Sequence, residues 1–180
     1  MKSPLCFLGL VIIGTESLLG AVDTGQPTSG TPYDRYHGPV RQVLSRAGST
    51  SPPLDQVRSQ FRTARRYRYY FNAAEPYTPQ SPEVTESRQQ GDCKAKSLWL
   101  ASKMNDRSVR YAIGKATPSS KILHAWLLWP NGGTWLFLDP TMESDVLNAD
   151  RVTGRKLIMK YTYGGSATYF HPSYSQYIKQ

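Results

Sequence analysis

Three side chains in this 180-residue sequence are of types that together do acyl chemistry: Cys93, His124 and Asp139. A thiol attacks a carbonyl carbon only as thiolate, and a helix N-terminus or a neighbouring imidazolium favours that anion relative to a free cysteine, which titrates near ~8.5. Cys93 heads Lys94–Met104, a run dominated by Ala, Leu, Trp and Lys without Gly or Pro. The run predicts a helix that begins at Cys93 and ends at Asn105-Asp106. The dipole and free N–H groups of its first turn would favour an anion, and the same N–H groups could hold an oxyanion. Asp92 opposes the thiolate unless it turns away to cap the helix.

The thiol needs a base and the base an orienter. Ile122 to Trp129 is a near-continuous apolar run, Thr134 to Leu138 follows it, and Pro130-Asn131-Gly132-Gly133 between them is a strong hairpin turn. A two-residue turn at Asn131-Gly132 pairs Pro130 with Gly133, and a four-residue loop closing Trp129 on Thr134 keeps the same register. Carried along the strands, that register puts His124 directly opposite Asp139, with Cβ atoms about 4.5–5.5 Å apart on one face. A three-residue loop or a bulge breaks it. Taken singly, a histidine in an apolar strand reads as a core residue and an aspartate before proline as a turn. Their joint placement, with a cysteine on a helix start, favours a Cys-His-Asp triad. His37, in a Gly/Pro-rich stretch, and His171, in a Tyr-rich tail, lack such a setting. Gln89 and Gln90 are candidates for a second oxyanion donor by proximity and amide chemistry.

The positioning elements follow from periodicity. Ser51 before Pro52-Pro53 predicts a capped helix start, and Leu54, Val57, Phe61, Ala64, Tyr67 or Arg68, and Phe71 recur at three- and four-residue spacing over about five turns. The opposite face carries Arg58, Arg62, Arg65 and Arg66, which reads as a solvated face or an anion-binding stripe. Residues 75–90 read as a loop. Val109, Tyr111 and Ile113 alternate with Ser108, Arg110 and Ala112, and Leu157 to Tyr163 alternate likewise, so strands follow the helices. The expected fold class is α+β, with N-terminal helices packed on an antiparallel sheet.

Lys2, the short apolar run Leu5–Ile13 and Leu19-Gly20-Ala21 read as a secretory signal peptide over residues 1–21; the apolar run spans about half a bilayer core, which disfavours an anchor. Residues 22–50 read as a Gly/Pro/Ser-rich N-terminal arm with a short helix start at Pro39–Leu44, and residues 51–180 as one domain. Loss of Cys6 with the signal leaves Cys93 as the mature chain's one thiol, hence an intermolecular link, an inert buried thiol or a reactive group. Cys/His zinc spacings are absent, and neither a metal nor a cofactor is expected. The formal charge of +9 suits anionic neighbours such as a cell-wall polymer or a membrane surface. Nucleic acid is not an expected partner, because export argues against it and no recognition motif is present.

Gly91-Asp92-Cys93, His124-Ala125-Trp126 and Trp135-x-x-x-Asp139-Pro140-Thr141 together resemble the transglutaminase-like superfamily, over about residues 80 to 142. The resemblance implies a papain-like fold, with Cys93 as nucleophile, His124 as general base and acid, and Asp139 as orienter. It implies acyl transfer at a peptide or glutamine carboxamide through a thioester, hydrolysis being favoured over transamidation. A binding module on the same fold is the alternative. Ala95 and Ser97 depart from the pattern, since bacterial members often carry an acidic residue and an alanine there.

Overall fold

The computed structural model describes residues 25–74, 76–152 and 157–172, so the expected signal segment lies outside the described residues. In chain order the elements are β1 (Gln26–Thr28), α1 (Gly38–Arg46), α2 (Leu54–Arg66), β2 (Arg68–Tyr69), α3 (Pro82–Arg88), β3 (Gln90–Gly91) and α4 (Cys93–Met104). Then come β4 (Arg110–Lys115), β5 (His124–Asn131), β6 (Thr134–Leu138), β7 (Leu147–Asn148), β8 (Ile158–Tyr163) and β9 (Thr168–Phe170). Among the described residues, seven strands form one antiparallel sheet in the order β1-β9-β8-β4-β5-β6-β7, and β2 pairs with β3 in a short parallel ladder.

The sheet has two buried faces, so its central strands read as apolar runs and not as a clean alternation. On one face Tyr111, Ile113, Ala125, Leu127 and Trp129 pack with Val40 and Leu44 of α1, Val57 and Phe61 of α2, and Leu98 and Leu100 of α4. On the other, Ala112, Trp126, Leu128, Phe137 and Met159 are covered by Ala149, Val152 and Leu157. Between Ile113 and Gly114 the β4–β8 register shifts, and a Cβ on Gly114 would lie 1.8 Å from the Ile158 carbonyl oxygen, so only glycine fits there.

Several expectations change. Residues 25–50, read as an arm, include an edge strand of the main sheet, while the helix expected from Pro39 to Leu44 is α1, with Val40 and Leu44 in the core. The three-residue β1 is too short to show a period. The expected loop at 75–90 contains α3, with Pro82 in its first turn and the Ser81 hydroxyl accepting from the Val84 N–H. Ser51 does not cap α2 but donates to Asp106, and the helix starts after Pro53 with no side-chain cap. It stops at Arg66, because Tyr67 turns extended (φ −59°, ψ 138°) to lead into β2. Phe71 therefore lies beyond the helix and is exposed.

The hairpin also closes one residue later than expected. Asn131 pairs with Thr134, and Gly132 and Gly133 form the two-residue turn with φ +58° and +81°. Two consecutive positive φ values are what a right-twisting hairpin demands, and two glycines supply them without strain. The register moves by two, so Leu138 faces Leu127, and Asp139 falls diagonal to His124 instead of directly opposite. A shift of two keeps every side chain on its face, whereas a shift of one would have separated the pair.

Candidate functional site

Asp92 determines how α4 begins. Its backbone is extended, and its carboxylate Oδ1 accepts the Ala95 N–H at 3.0 Å, which makes it the N-cap. Burial holds Asp92 above the usual carboxylate range, against the Ala95 and Lys94 N–H groups and the charges of Lys94 and His124. The aspartate is thus spent on the helix start, and Cys93 follows as the first helical residue, 4 % exposed. The helix ladder gives no carbonyl to the Cys93 N–H, which is therefore the natural first donor to an oxyanion at Sγ.

Two hydrogen bonds dock this helix on the sheet. Tyr111 Oη on β4 donates to the Lys94 carbonyl at 3.0 Å, and Ser97 Oγ donates to the Ala125 carbonyl at 3.2 Å. The second ties α4 to the residue after His124.

His124 opens β5 and is buried, its ring stacked on Trp126 with centroids 5.8 Å apart. Its Nε2 lies 2.7 Å from Asp139 Oδ2, and Cys93 lines the same groove as the histidine. Burial pulls the imidazole down, but hydrogen bonds to Asp139 and Cys93 and the charge on both outweigh it, and His124 is pushed up to about 10. Asp139 is fully buried just past β6, and its Oδ1 accepts the N–H groups of Thr141 (3.0 Å) and Met142 (3.1 Å). The carboxylate therefore forms the turn through one oxygen and holds the histidine through the other. The structure joins His124 to Asp139 by a hydrogen bond and lines one groove with Cys93 and His124.

Gln89 and Gln90 stand elsewhere. Gln89 closes α3 in the left-handed region at φ 47° and is exposed. The Gln90 carboxamide accepts from Arg68 Nη2 at 2.6 Å. Neither lines the groove at Cys93, so both are withdrawn as oxyanion donors. His37 lies edge-on to Tyr163 with centroids 4.9 Å apart, and His171 Nε2 is 3.0 Å from Thr162 Oγ1.

Two charged residues beside the site escaped the sequence reading. Lys94 and Lys96 are 1 % and 3 % exposed. The Lys94 ammonium lies 4.5 Å from the Tyr77 ring centroid, a cation–π contact. Lys96 Nζ donates to the Arg65 carbonyl at 3.4 Å, and burial and Arg65 lower its pKa against the charge of Asp139. The available signal was that Cys93–Met104 has no polar stripe, which marks a helix buried all round. Lysines in such a helix must be buried with partners.

No protein-family model and no curated protein matches this chain. Among solved structures it is similar to Legionella pneumophila LapG, at 16 % identity and a TM-score of 0.55, covering 79 % of each chain. It is similar to calcium-bound LapG at 16 % identity and TM-score 0.55, covering 78 % of each chain. For EGTA-treated LapG the values are 16 % and 0.56, with 77 % of this chain and 75 % of that one covered. The fold is the α+β transglutaminase-like one.

Asp92 is engaged as the cap of α4, and the charge of Lys94 acts on it. Among the described residues, no group of three or more His, Cys, Asp or Glu side chains is placed to hold a metal. No helix among them is long and apolar enough to cross a membrane.

Proposed function

We propose that this chain is an exported thiol enzyme of the cysteine-peptidase kind, acting on a protein or peptide amide through Cys93, His124 and Asp139. The observation that carries the reading is the buried His124–Asp139 hydrogen bond beside Cys93, which stands on a helix start in the same groove. With His124 pushed up to about 10, the imidazole holds a proton at neutral pH and can give it to a leaving group, and Cys93, on a helix start in the same groove, is assigned as the nucleophile. Sγ attacks the amide carbon, and the Cys93 N–H faces the developing oxyanion. The C–N bond breaks as His124 passes its proton to the leaving amine, and a thioester remains on Cys93. Water, deprotonated by His124, then displaces the thiolate and gives the free acid; an amine in its place gives a new amide. Hydrolysis is favoured because water, in large excess, takes the thioester unless the site excludes it.

Export rests on the leader-like residues 1–21. The exposed Arg62, Arg65 and Arg66 of α2 suit an anionic cell-wall or membrane surface nearby.

The test is alkylation of the native protein by iodoacetamide, followed as a function of pH, with Cys93→Ala and His124→Ala as controls. The rate stays high below pH 7 and drops in His124→Ala. A rate that follows an ordinary thiol, near ~8.5, and ignores the histidine overturns the enzyme reading in favour of a binding module on the same fold.

A further inference from the structure

We propose that the groove over Cys93 is an apolar subsite, and that the substrate carries a large aliphatic or aromatic side chain beside the reacting amide. This rests on the reading of Cys93 as nucleophile. The groove has a volume of about 110 Å³, with Cys93 and His124 at its base. One wall is Tyr69 and Phe71, from the segment that follows α2; the other includes Ile122 and Leu123, from the loop before β5.

Tyr69 is 48 % exposed, Phe71 46 % and Ile122 45 %. These are three of the seven large apolar side chains exposed among the described residues, so apolar exposure is concentrated at the reactive centre. Water-facing aromatic and aliphatic surface is unfavourable unless a ligand covers it, and a patch beside a nucleophile is covered by what the nucleophile attacks.

The walls are positioned and not incidental. The Arg68 N–H donates to the Gln89 carbonyl at 2.9 Å and the Tyr70 N–H to the Gly91 carbonyl at 3.2 Å, so the 68–70 strand is fixed to the chain that enters Cys93. The opposite wall leads directly into His124. Both walls are thus tied covalently or by backbone hydrogen bonds to the reacting groups, and a side chain gripped between them has its carbonyl carbon held near Sγ. Asp92 and Lys94 also line the groove but are 4 % and 1 % exposed, whereas Phe71 and Ile122 present apolar surface against which a charged side chain would lose its water. The room between the walls suits one side chain, so the selection falls on a single residue of the substrate.

The experiment uses the purified chain and a panel of short peptidyl chloromethyl ketones that differ only in the residue next to the reactive carbonyl: Leu, Phe, Gly, Asp or Lys. The rate of covalent labelling of Cys93 is compared with the rate for iodoacetamide, which has no side chain to place. Leu and Phe probes are expected to react at least about tenfold faster than the Gly, Asp and Lys probes, the scale set by burying one apolar group in a pocket. Phe71→Ala and Ile122→Ala are expected to erase most of that preference and leave the iodoacetamide rate within about twofold of the wild type. A variant that also loses iodoacetamide reactivity has lost the site itself, and the wild-type panel then decides alone. Equal labelling by all five probes with rapid iodoacetamide reaction overturns the subsite and leaves the nucleophile standing. Slow reaction with iodoacetamide and with every probe overturns both.

Discussion

At the scale of single residues, Asp139 carries two jobs on two oxygens. Oδ1 receives the Thr141 and Met142 N–H groups, and Oδ2 holds His124 Nε2. In Asp139→Asn the carbonyl oxygen is claimed by the two backbone donors, so the NH₂ group turns toward Nε2. That nitrogen must then accept, the ring is held as the neutral Nδ1–H tautomer, and Nδ1 can no longer take the thiol proton. The fold should persist, with melting within a few degrees of wild type, while turnover falls roughly 100-fold or more, on the precedent of a much larger loss in a serine triad. Thermal melting and active-site titration on one sample check this. Full activity with a lowered melting point would reduce Asp139 to a turn-former and leave a Cys–His dyad.

At the scale of elements, the first turn of α4 balances charges. Asp92 caps the helix next to Cys93, and the Lys94 ammonium offsets its charge from within the fold. Lys94→Met keeps the length of the buried chain and removes the cation. Alkylation of Cys93 at pH 6.5 should then slow by about threefold to tenfold, the effect of removing one nearby favourable charge. Circular dichroism should stay unchanged. An unchanged alkylation rate would make Lys94 a packing residue only. The hairpin bears on the same site from the other side: its diglycine turn determines the register that brings Asp139 to His124's diagonal.

At the scale of the whole molecule, two buried histidines titrate in opposite directions. Burial, with help from Lys94 and Arg41, lowers His37 to about 4, against the opposing charge of Asp34. Between its unfolded value near ~6.5 and about 4, the unfolded chain binds the extra proton, so His37 costs stability as the pH falls through that window. His124 is the reverse case. Its folded value of about 10 lies above the unfolded one, so its contribution is fully present below about pH 6.5 and is lost as the pH rises toward 10. His37→Phe should retain the packing among Tyr33, Tyr111 and Tyr163 and flatten the acid limb of a plot of Tm against pH. His124→Gln should flatten the alkaline limb. Parallel curves for wild type and variant would remove that histidine from the pH dependence.

What the sequence determined by itself is what local chemistry and period control. The helix-forming run after Gly91-Asp92 predicts a helix start at Cys93, and the structure makes Asp92 its cap. Strand parity predicts that His124 and Asp139 share a face, and that survives a register shift of two because side chains alternate with period two. What only the tertiary structure decided is whatever depends on contacts between distant segments. The turn closes at Gly132-Gly133 and not at Asn131-Gly132, a choice between two acceptable turns made by the packing of whole strands. Residues 25–50 join the sheet and core because β9 and α4 are there to receive them. Lys94 and Lys96 are buried because other elements surround α4 on every side. Phe71 looks like one more turn of α2 in the sequence. Pairing of β2 with β3 ends that helix early and sets the aromatic side chain at the mouth of the site, since a backbone ladder between residues far apart in the chain outweighs a local helical period.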